Sequence, residues 1–478
     1  MAFLIGGANT LDSSFNIDNS CRFDSASSGY MYKSHSASQT KKFTISFWVK
    51  RGKLGTSQRI FHTGQADGDP AYFINFDSSD RLFIGDMDSS YVYQHKTNAV
   101  FRDPSAWYHI VHVVDTAQGA ANDRSVIYIN GKNYRTYANS YANDDQPALN
   151  GDSELGTGND NIVIGRDEYD SGSAYFDGYL AELYYADNAA YNAEKFGEFD
   201  SSTGIWKPIE VTGISYGTNG FYLDFKASGN LGNDANGGTD LTESGFAADH
   251  QTTDTPTNNF MTMNPLSQYG ITFAEGNLSV QGANSSGYSV CTGGWEVPSS
   301  GKWYYEVEVD VFGGTNHEYL GIKRDDLTLE ATAYDLHSST CQFYQSNDGS
   351  NGSFRDEGST TATATALRHS AGDILMVAID ISNEKMWFGK NGTWYDDDAT
   401  TDGDPANGTN PTCTPNNDYT WHFFSGGGNN AVKYLYNFGN PPFSISSGNT
   451  DANGYGNFEY AVPSGYYALC TKNLAKYG

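Results

Sequence analysis

Three acidic residues stand at alternate positions in Glu306-Val307-Glu308-Val309-Asp310, the sharpest catalytic candidate in the chain. Alternate side chains share one face of a β-strand, so the three carboxyls would lie in a row. Glycoside hydrolysis needs two carboxyls flanking the scissile bond, one as acid and one as base or nucleophile. Recognition of a sugar needs something different: aromatic platforms for its C–H faces, and amides or carboxylates for its hydroxyl edges. Such mixtures occur in Tyr344-Gln345-Ser346-Asn347-Asp348, in Asn391-Gly392-Thr393-Trp394-Tyr395-Asp396 and across residues 137–145. Trp394 stands out, because a large aromatic beside an Asn-Gly pair has little local reason to be there. Tyr395, Asn391, Tyr344 and Asn347 are the companion ligand-binding candidates.

Other chemistries find little support. His35, His62, His95, His109 and His112 are scattered, and His109 and His112 fall on opposite faces of one strand, so no zinc set is indicated. The five cysteines (Cys21, Cys291, Cys341, Cys413 and Cys470) are widely spaced and contain no CxxC pair, which indicates neither a zinc knuckle nor a disulfide framework. No serine-nucleophile elbow and no GxxxxGK[ST] phosphate loop is read in the chain; Gly426-Gly427-Gly428 lacks the lysine and the following helix. A formal charge of −29 argues against nucleic acid as a partner and against docking to an anionic membrane through a polybasic patch. The opening Met-Ala-Phe-Leu-Ile-Gly-Gly is too short an apolar run for a signal peptide, and no stretch reaches transmembrane length, so no membrane insertion is expected.

The elements that must position these residues are strands. With 34 Tyr, 27 Phe and 53 Gly in 478 residues, aromatics supply the large buried surface, while Gly, Asn and Asp supply turns. Phe43, Ile45, Phe47 and Val49 alternate onto one face. Residues 71–76 and 81–84 flank Asp77-Ser78-Ser79-Asp80 as a hairpin, and residues 107–115 and 125–130 are further strands, the second ending in Asn130-Gly131. Residues 220–225 are expected to close the sandwich by pairing with Cys21-Arg22-Phe23. In the second half Trp303, Tyr305, Val307 and Val309 face one way, and residues 374–381 form an apolar run expected to be buried on both faces. The fold class is all-β, organised as a sandwich over 1–227, a polar connector over 228–265 and a second sandwich over 266–478.

The first half resembles laminin G-like domains of the concanavalin A-like jelly-roll class, through FTISFWVKR, WYHIVHVVD followed by VIYINGK, NIVIG and FDGYLAELYY, in that order. The second half resembles SPRY domains, through KWYYEVEV, EYLGIKR, GDILMVAIDISNEKMWFGKNGTWY and YNFGNPPF. The pairing of two concanavalin A-like sandwiches with DTPTNNF between them is similar to structural proteins of marine bacteriophages, of tail-fibre type. That resemblance implies a non-enzymatic virion appendage protein, assembled in the host cytoplasm, released by lysis and commonly a homotrimer. Its partners would be a host-surface glycan or protein receptor, or neighbouring virion proteins. The alternatives are a structural capsid decoration or tail protein without a ligand, and a glycan depolymerase using Glu306, Glu308 and Asp310. SPRY domains carry an ordinary core strand at that position, which favours binding over catalysis. The laminin G resemblance also implies calcium at the sandwich rim. Asp67 and Asp69 would give two of the six to eight oxygens required, with Asp152, Asp160 and Asp167 in nearby loops.

Overall fold

The computed structural model describes residues 15–38, 41–64, 71–156, 161–168, 173–283, 288–312, 318–329, 339–345, 351–428 and 432–478. The chain divides into two compact units, with the boundary between Thr257 and Asn258.

The first unit holds two eight-stranded antiparallel sheets. One runs in the order Lys132–Asn133, Ser125–Ile129, Trp107–Asp115, Lys42–Arg51, Gly178–Asp187, Ser20–Phe23 and Gln251–Thr252, with Phe221–Leu223 also on Gly178–Asp187. The other runs Tyr141–Asp145, Ser90–Val100, Arg81–Asp88, Ala71–Phe76, Gln58–Thr63, Asn161–Ile164, Tyr30–Ser34 and Thr242–Ser244. Phe43, Ile45, Phe47 and Val49 point between the sheets, where they join Tyr72, Ile74, Ile84 and Leu180 in the core. The opposite face of the first sheet is apolar as well. Trp48, Trp107, Tyr179 and Tyr184 there pack under Phe196 and Trp206 from the following segment, and we call this the covered sheet. Turn chemistry follows the sequence: Asn130 and Gly131 have φ of 47° and 77°, and a Cβ on Gly131 would lie 2.0 Å from the Trp206 ring.

Two expectations change. Residues 221–223 do not pair with the Cys21 strand. Both lie along the same edge of Gly178–Asp187, Cys21–Phe23 against residues 178–180 and Phe221–Leu223 against residues 183–185. An irregularity between Ala181 and Tyr184, with Glu182 at φ 50°, separates the two pairings. The stretch 228–265 is also no separate connector. Leu231 and Leu241 enter the first core, and residues 242–244 and 251–252 add edge strands. Asp254 forms a fully buried ion pair with Lys50 at 2.7 Å and accepts from Trp107 Nε1 at 3.1 Å. Met261 and Met263 belong to the second core.

The second unit repeats the plan. Its seven-stranded sheet runs Met263–Tyr269, Tyr288–Glu296, Trp421–Gly428, Glu318–Arg324, Thr340–Gln345, Gly352–Asp356 and Ser359–Ala364. Its partner sheet runs Ile271–Ala274, Ser279–Gly282, Lys433–Asn437, Trp303–Val311, Ile374–Asp380, Lys385–Lys390 and Thr393–Tyr395, with Tyr467–Ala468 parallel to Trp303–Val311. Ile374–Asp380 is buried on both faces: Leu375, Val377 and Ile379 enter the core, and Met376 and Ala378 face the C-terminal segment. A short α-helix, Thr471–Tyr477, follows. Among the described residues no helix is long and apolar enough to cross a membrane.

Candidate functional site

The acidic row does not form a catalytic pair. Glu306 is fully buried beneath the C-terminal segment. Its carboxylate accepts from the Tyr304 hydroxyl at 2.8 Å, from the backbone N–H groups of Glu459 at 2.9 Å and Tyr460 at 2.8 Å, and from Asn437 Nδ2 at 3.4 Å. Burial pushes its carboxyl up and the two N–H groups pull it back. Glu308 is half-buried, and Asp310 pairs with Lys433 at 2.8 Å. Strand alternation placed the three acids on one face as expected; the chain that folds over that face makes Glu306 an anchor.

The aromatic turn is also structural. Asn391 (φ 49°) and Gly392 (φ 84°) form the hairpin turn, where Asn391 Oδ1 accepts from Ile374 N at 2.8 Å and Nδ2 donates to Asp373 at 2.7 Å. Trp394 leans across Gly389 towards Tyr304, ring centroids 6.2 Å apart, and Tyr395 lies in the core. Asn391 is exposed, Trp394 half-buried and Tyr395 buried. Tyr344 lies in Thr340–Gln345, its side chain outside the described residues, as is Asn347. Asp67, Asp69 and Asp160 also lie outside them. Asp167 gives one oxygen to Arg59 Nε at 3.2 Å and the other to His62 Nε2 at 3.4 Å, and Asp152 is exposed. Among the described residues no calcium shell of acidic side chains assembles.

Two serine arrangements escaped the sequence reading. Gly213-Ile214-Ser215-Tyr216-Gly217 has the GxSxG spacing, but a turn and a strand follow it, with no helix, so it is no nucleophile elbow. Ser125, His95 and Asp144 have the linkage of a catalytic triad, with Oγ to Nε2 at 2.8 Å and Nδ1 to Oδ1 at 2.9 Å. Ser125 is fully buried, however, and its Oγ also meets His112 Nε2 at 2.9 Å, while His112 Nδ1 meets the Tyr72 hydroxyl at 2.7 Å. The group is a polar staple between the two sheets. Burial holds both imidazoles below their usual pKa.

The outer face of the other sheet of the first unit is buried at its middle, at Val163, His62, Phe73 and Asn75, and is part-exposed along Arg81–Asp88, Ser90–Val100 and Tyr141–Asp145. No hydrophobic cluster among the described residues includes this face, in contrast to the covered sheet. Register aligns one row straight across it: Thr242, Tyr32, Val163, His62, Phe73, Gly85, Gln94 and Asp145. A second row is Arg59, Asn75, Phe83 and Lys96. Gly85 is required here, because a Cβ would lie 2.3 Å from the Phe73 ring. Phe73 meets Phe83 edge to face at 5.0 Å, and Phe83 meets Tyr91, itself 44% exposed, at 5.9 Å. Cations lie over these rings: Arg59 over Phe73 at 4.1 Å, Lys96 over Phe83 at 4.2 Å and Arg166 over Tyr30 at 3.7 Å. Gln94 donates to Asp145 at 2.8 Å. Burial, opposed by Asp167, pushes His62 down to about 4, so it stays neutral near pH 7. The result is a shallow trough at one side of the sheet, with buried Phe73 as its floor and part-exposed Phe83, Tyr91, Gln94 and Lys96 beside exposed Asp145. Its floor comes from the consecutive strands Gln58–Thr63, Ala71–Phe76, Arg81–Asp88 and Ser90–Val100, and register brings Asp145 to its margin.

The second unit has a groove of 1690 Å³, whose lining includes Trp295, Glu296, Lys323, Tyr419 and His422. Glu296, His422 and Lys323 stand abreast in it on adjacent strands.

Residues 24–194 match the laminin G type family described as the concanavalin A-like lectin/glucanases superfamily. No curated protein matches the chain. Solved structures similar to parts of it include a heptameric SAP-like pentraxin from Limulus polyphemus, 15% identical, covering 43% of this chain and 100% of that one, with a TM-score of 0.28. A putative carbohydrate binding protein from Bacteroides ovatus ATCC 8483 is 16% identical over 48% of this chain and 58% of that one, TM-score 0.29. The SPRY domain of human HERC1 is 15% identical over 36% of this chain and 96% of that one, TM-score 0.26. The family match and the sheet topology together make this an all-β chain whose first unit carries a concanavalin A-like jelly roll.

Proposed function

We propose that the protein is a non-enzymatic, lectin-like binder that holds glycans on the open sheet face of its first unit. The observation that carries this is the contrast between the two outer faces: one is sealed by an apolar layer, and the other leaves Phe83, Tyr91, Gln94, Lys96 and Asp145 accessible over a buried Phe73–Gly85 floor. The family match over residues 24–194 supports the same reading. The burial of Glu306 under the C-terminal segment, where it accepts from two backbone N–H groups, speaks against the depolymerase reading built on Glu306, Glu308 and Asp310. A shallow face binds each sugar weakly, so presentation in several copies would raise avidity.

The test is a glycan array with the full-length protein, followed by titration of the strongest ligand against Tyr91→Ala and Gln94→Ala. Each variant should lose about 5–30-fold in affinity, the span of one to two lost contacts. Wild-type affinity in both variants, or no glycan bound, would overturn the reading. Release of reducing ends by the wild-type protein would overturn its non-enzymatic part. For setting, the ordered motifs and the DTPTNNF stretch support a virion appendage, homotrimeric and facing a host surface. Immunogold labelling of particles at a distal fibre tip is the expected result; a lattice of copies over a capsid would make the protein a decoration.

A further inference from the structure

We infer that the second unit contains a binding site for a zinc-class divalent cation, made by Cys341, Cys413 and Asp356. The Sγ atoms of the two cysteines and a carboxylate oxygen of Asp356 all lie within 4.8 Å of one another. Three elements bring them together. Cys341 in Thr340–Gln345 is the cross-strand partner of Asp356 in Gly352–Asp356, and Cys413 is bridged to Met386 in Lys385–Lys390, on the other sheet. The site therefore joins the margins of both sheets.

The donor geometry fits the ion. Around a tetrahedral zinc, bonds of about 2.3 Å to sulfur and 2.1 Å to oxygen put S and O about 3.6 Å apart. Cys341 Sγ lies 3.3 Å from Asp356 Oδ1. The carboxylate is already oriented: Oδ2 accepts from Thr414 N at 3.0 Å and Thr414 Oγ1 at 2.8 Å, Oδ1 accepts from Cys341 Sγ, and the Cys413 thiol donates to the Arg355 carbonyl at 3.3 Å, a bond that its thiolate would give up on binding metal. Such an outer partner is what positions a ligating carboxylate in metal sites. Cys341 and Cys413 are buried, whereas Asp356 is half-buried and Thr414 exposed, so the ion would enter from the Asp356 side and keep one position for water. Two thiolates with one carboxylate suit zinc or cobalt(II) better than calcium or magnesium. Binding converts two thiols to thiolates and releases two protons, so affinity should rise with pH.

The experiment adds cobalt(II) and then zinc(II) to reduced, chelator-stripped full-length protein. One equivalent of cobalt should produce a thiolate-to-cobalt charge-transfer band that zinc abolishes. Cys341→Ser and Cys413→Ser should each lose the band. Asp356→Asn, at a half-exposed position, should weaken binding at least about 10-fold, the scale of losing a ligand. Cys291→Ser, another buried free thiol, should leave the band unchanged. Circular dichroism verifies that each variant is folded. No stoichiometric uptake by the wild type, uptake unaffected by Asp356→Asn, or a Cys341–Cys413 disulfide in the protein as isolated would overturn the assignment.

Discussion

Replacing Glu306 separates a structural anchor from a catalytic acid. Glu306→Ala removes the acceptor of two backbone N–H groups, at Glu459 and Tyr460, and of the buried Tyr304 hydroxyl. Each buried donor left without a partner costs about 1–3 kcal/mol. Water can reach the part-buried amides more readily than the hydroxyl, so the total should fall near 3–6 kcal/mol. For a unit of this size about 2–4 °C of melting temperature accompanies each kcal/mol, which predicts a loss of roughly 6–24 °C. Glu306→Gln keeps one acceptor oxygen but turns its amide donors towards an N–H, so its loss should be about half as large. Thermal melting followed by circular dichroism, with reducing-sugar release in parallel, gives the answer. A catalytic acid behaves oppositely, because its removal abolishes hydrolysis while stability holds or rises. A melting temperature within about 2 °C of wild type for Glu306→Ala would refute the anchor.

Asp254→Ala should destabilise the first unit by about 3–5 kcal/mol by leaving the Lys50 ammonium buried without its partner, as urea unfolding would report. Adding Lys50→Met should recover much of that loss; a double variant no more stable than Asp254→Ala would contradict it. Ser125→Ala should cost about 2–4 kcal/mol, because His95 and His112 both lose their shared hydroxyl. A change under 0.5 kcal/mol would show that the staple does not hold the sheets, the level expected of an inert surface substitution. Acid should weaken the first unit. His109 is pushed down to about 3 and His62 to about 4, and His95 and His112 are lowered by burial, so their stability is full above about 6.5 and is lost on acidification. Asp86 and Asp177, pushed up to about 7, and Glu182, also raised, act oppositely and lose stability as pH rises from about 4. The four lowered imidazoles, joined by Asp144 and Asp115, whose carboxyls their partners hold down, outnumber the three raised carboxyls, so the net stability should fall on acidification below about pH 6. Urea titrations showing flat or rising stability on acidification would contradict it.

The strands were legible because their signals are local. The apolar run at 374–381, the alternation at Trp303–Val309 and the Asn-Gly turns at 130 and 391 each specify their own conformation within a few residues. The site was not legible, because its parts are non-local. Nothing near Glu306 reveals that residues 459 and 460 will fold over it. Asp254 looks like a linker residue until Lys50 is placed beside it, 204 positions away. The margin of the trough is hidden for the same reason: Asp145 reaches Gln94 only through strand order, although Phe73, Gly85 and Gln94 lie on consecutive strands. Gly85 was the nearest thing to a local clue, since a glycine within a strand often marks close approach of another group, here Phe73.

Amide hydrogen exchange of the full-length protein, with and without the strongest ligand of the glycan array, tests the binding face most directly. The account predicts slowed exchange in Gln58–Thr63, Ala71–Phe76, Arg81–Asp88 and Ser90–Val100, the strands of the trough. Slowing confined to the second unit's groove around Tyr419 and His422, or none at all, would contradict it.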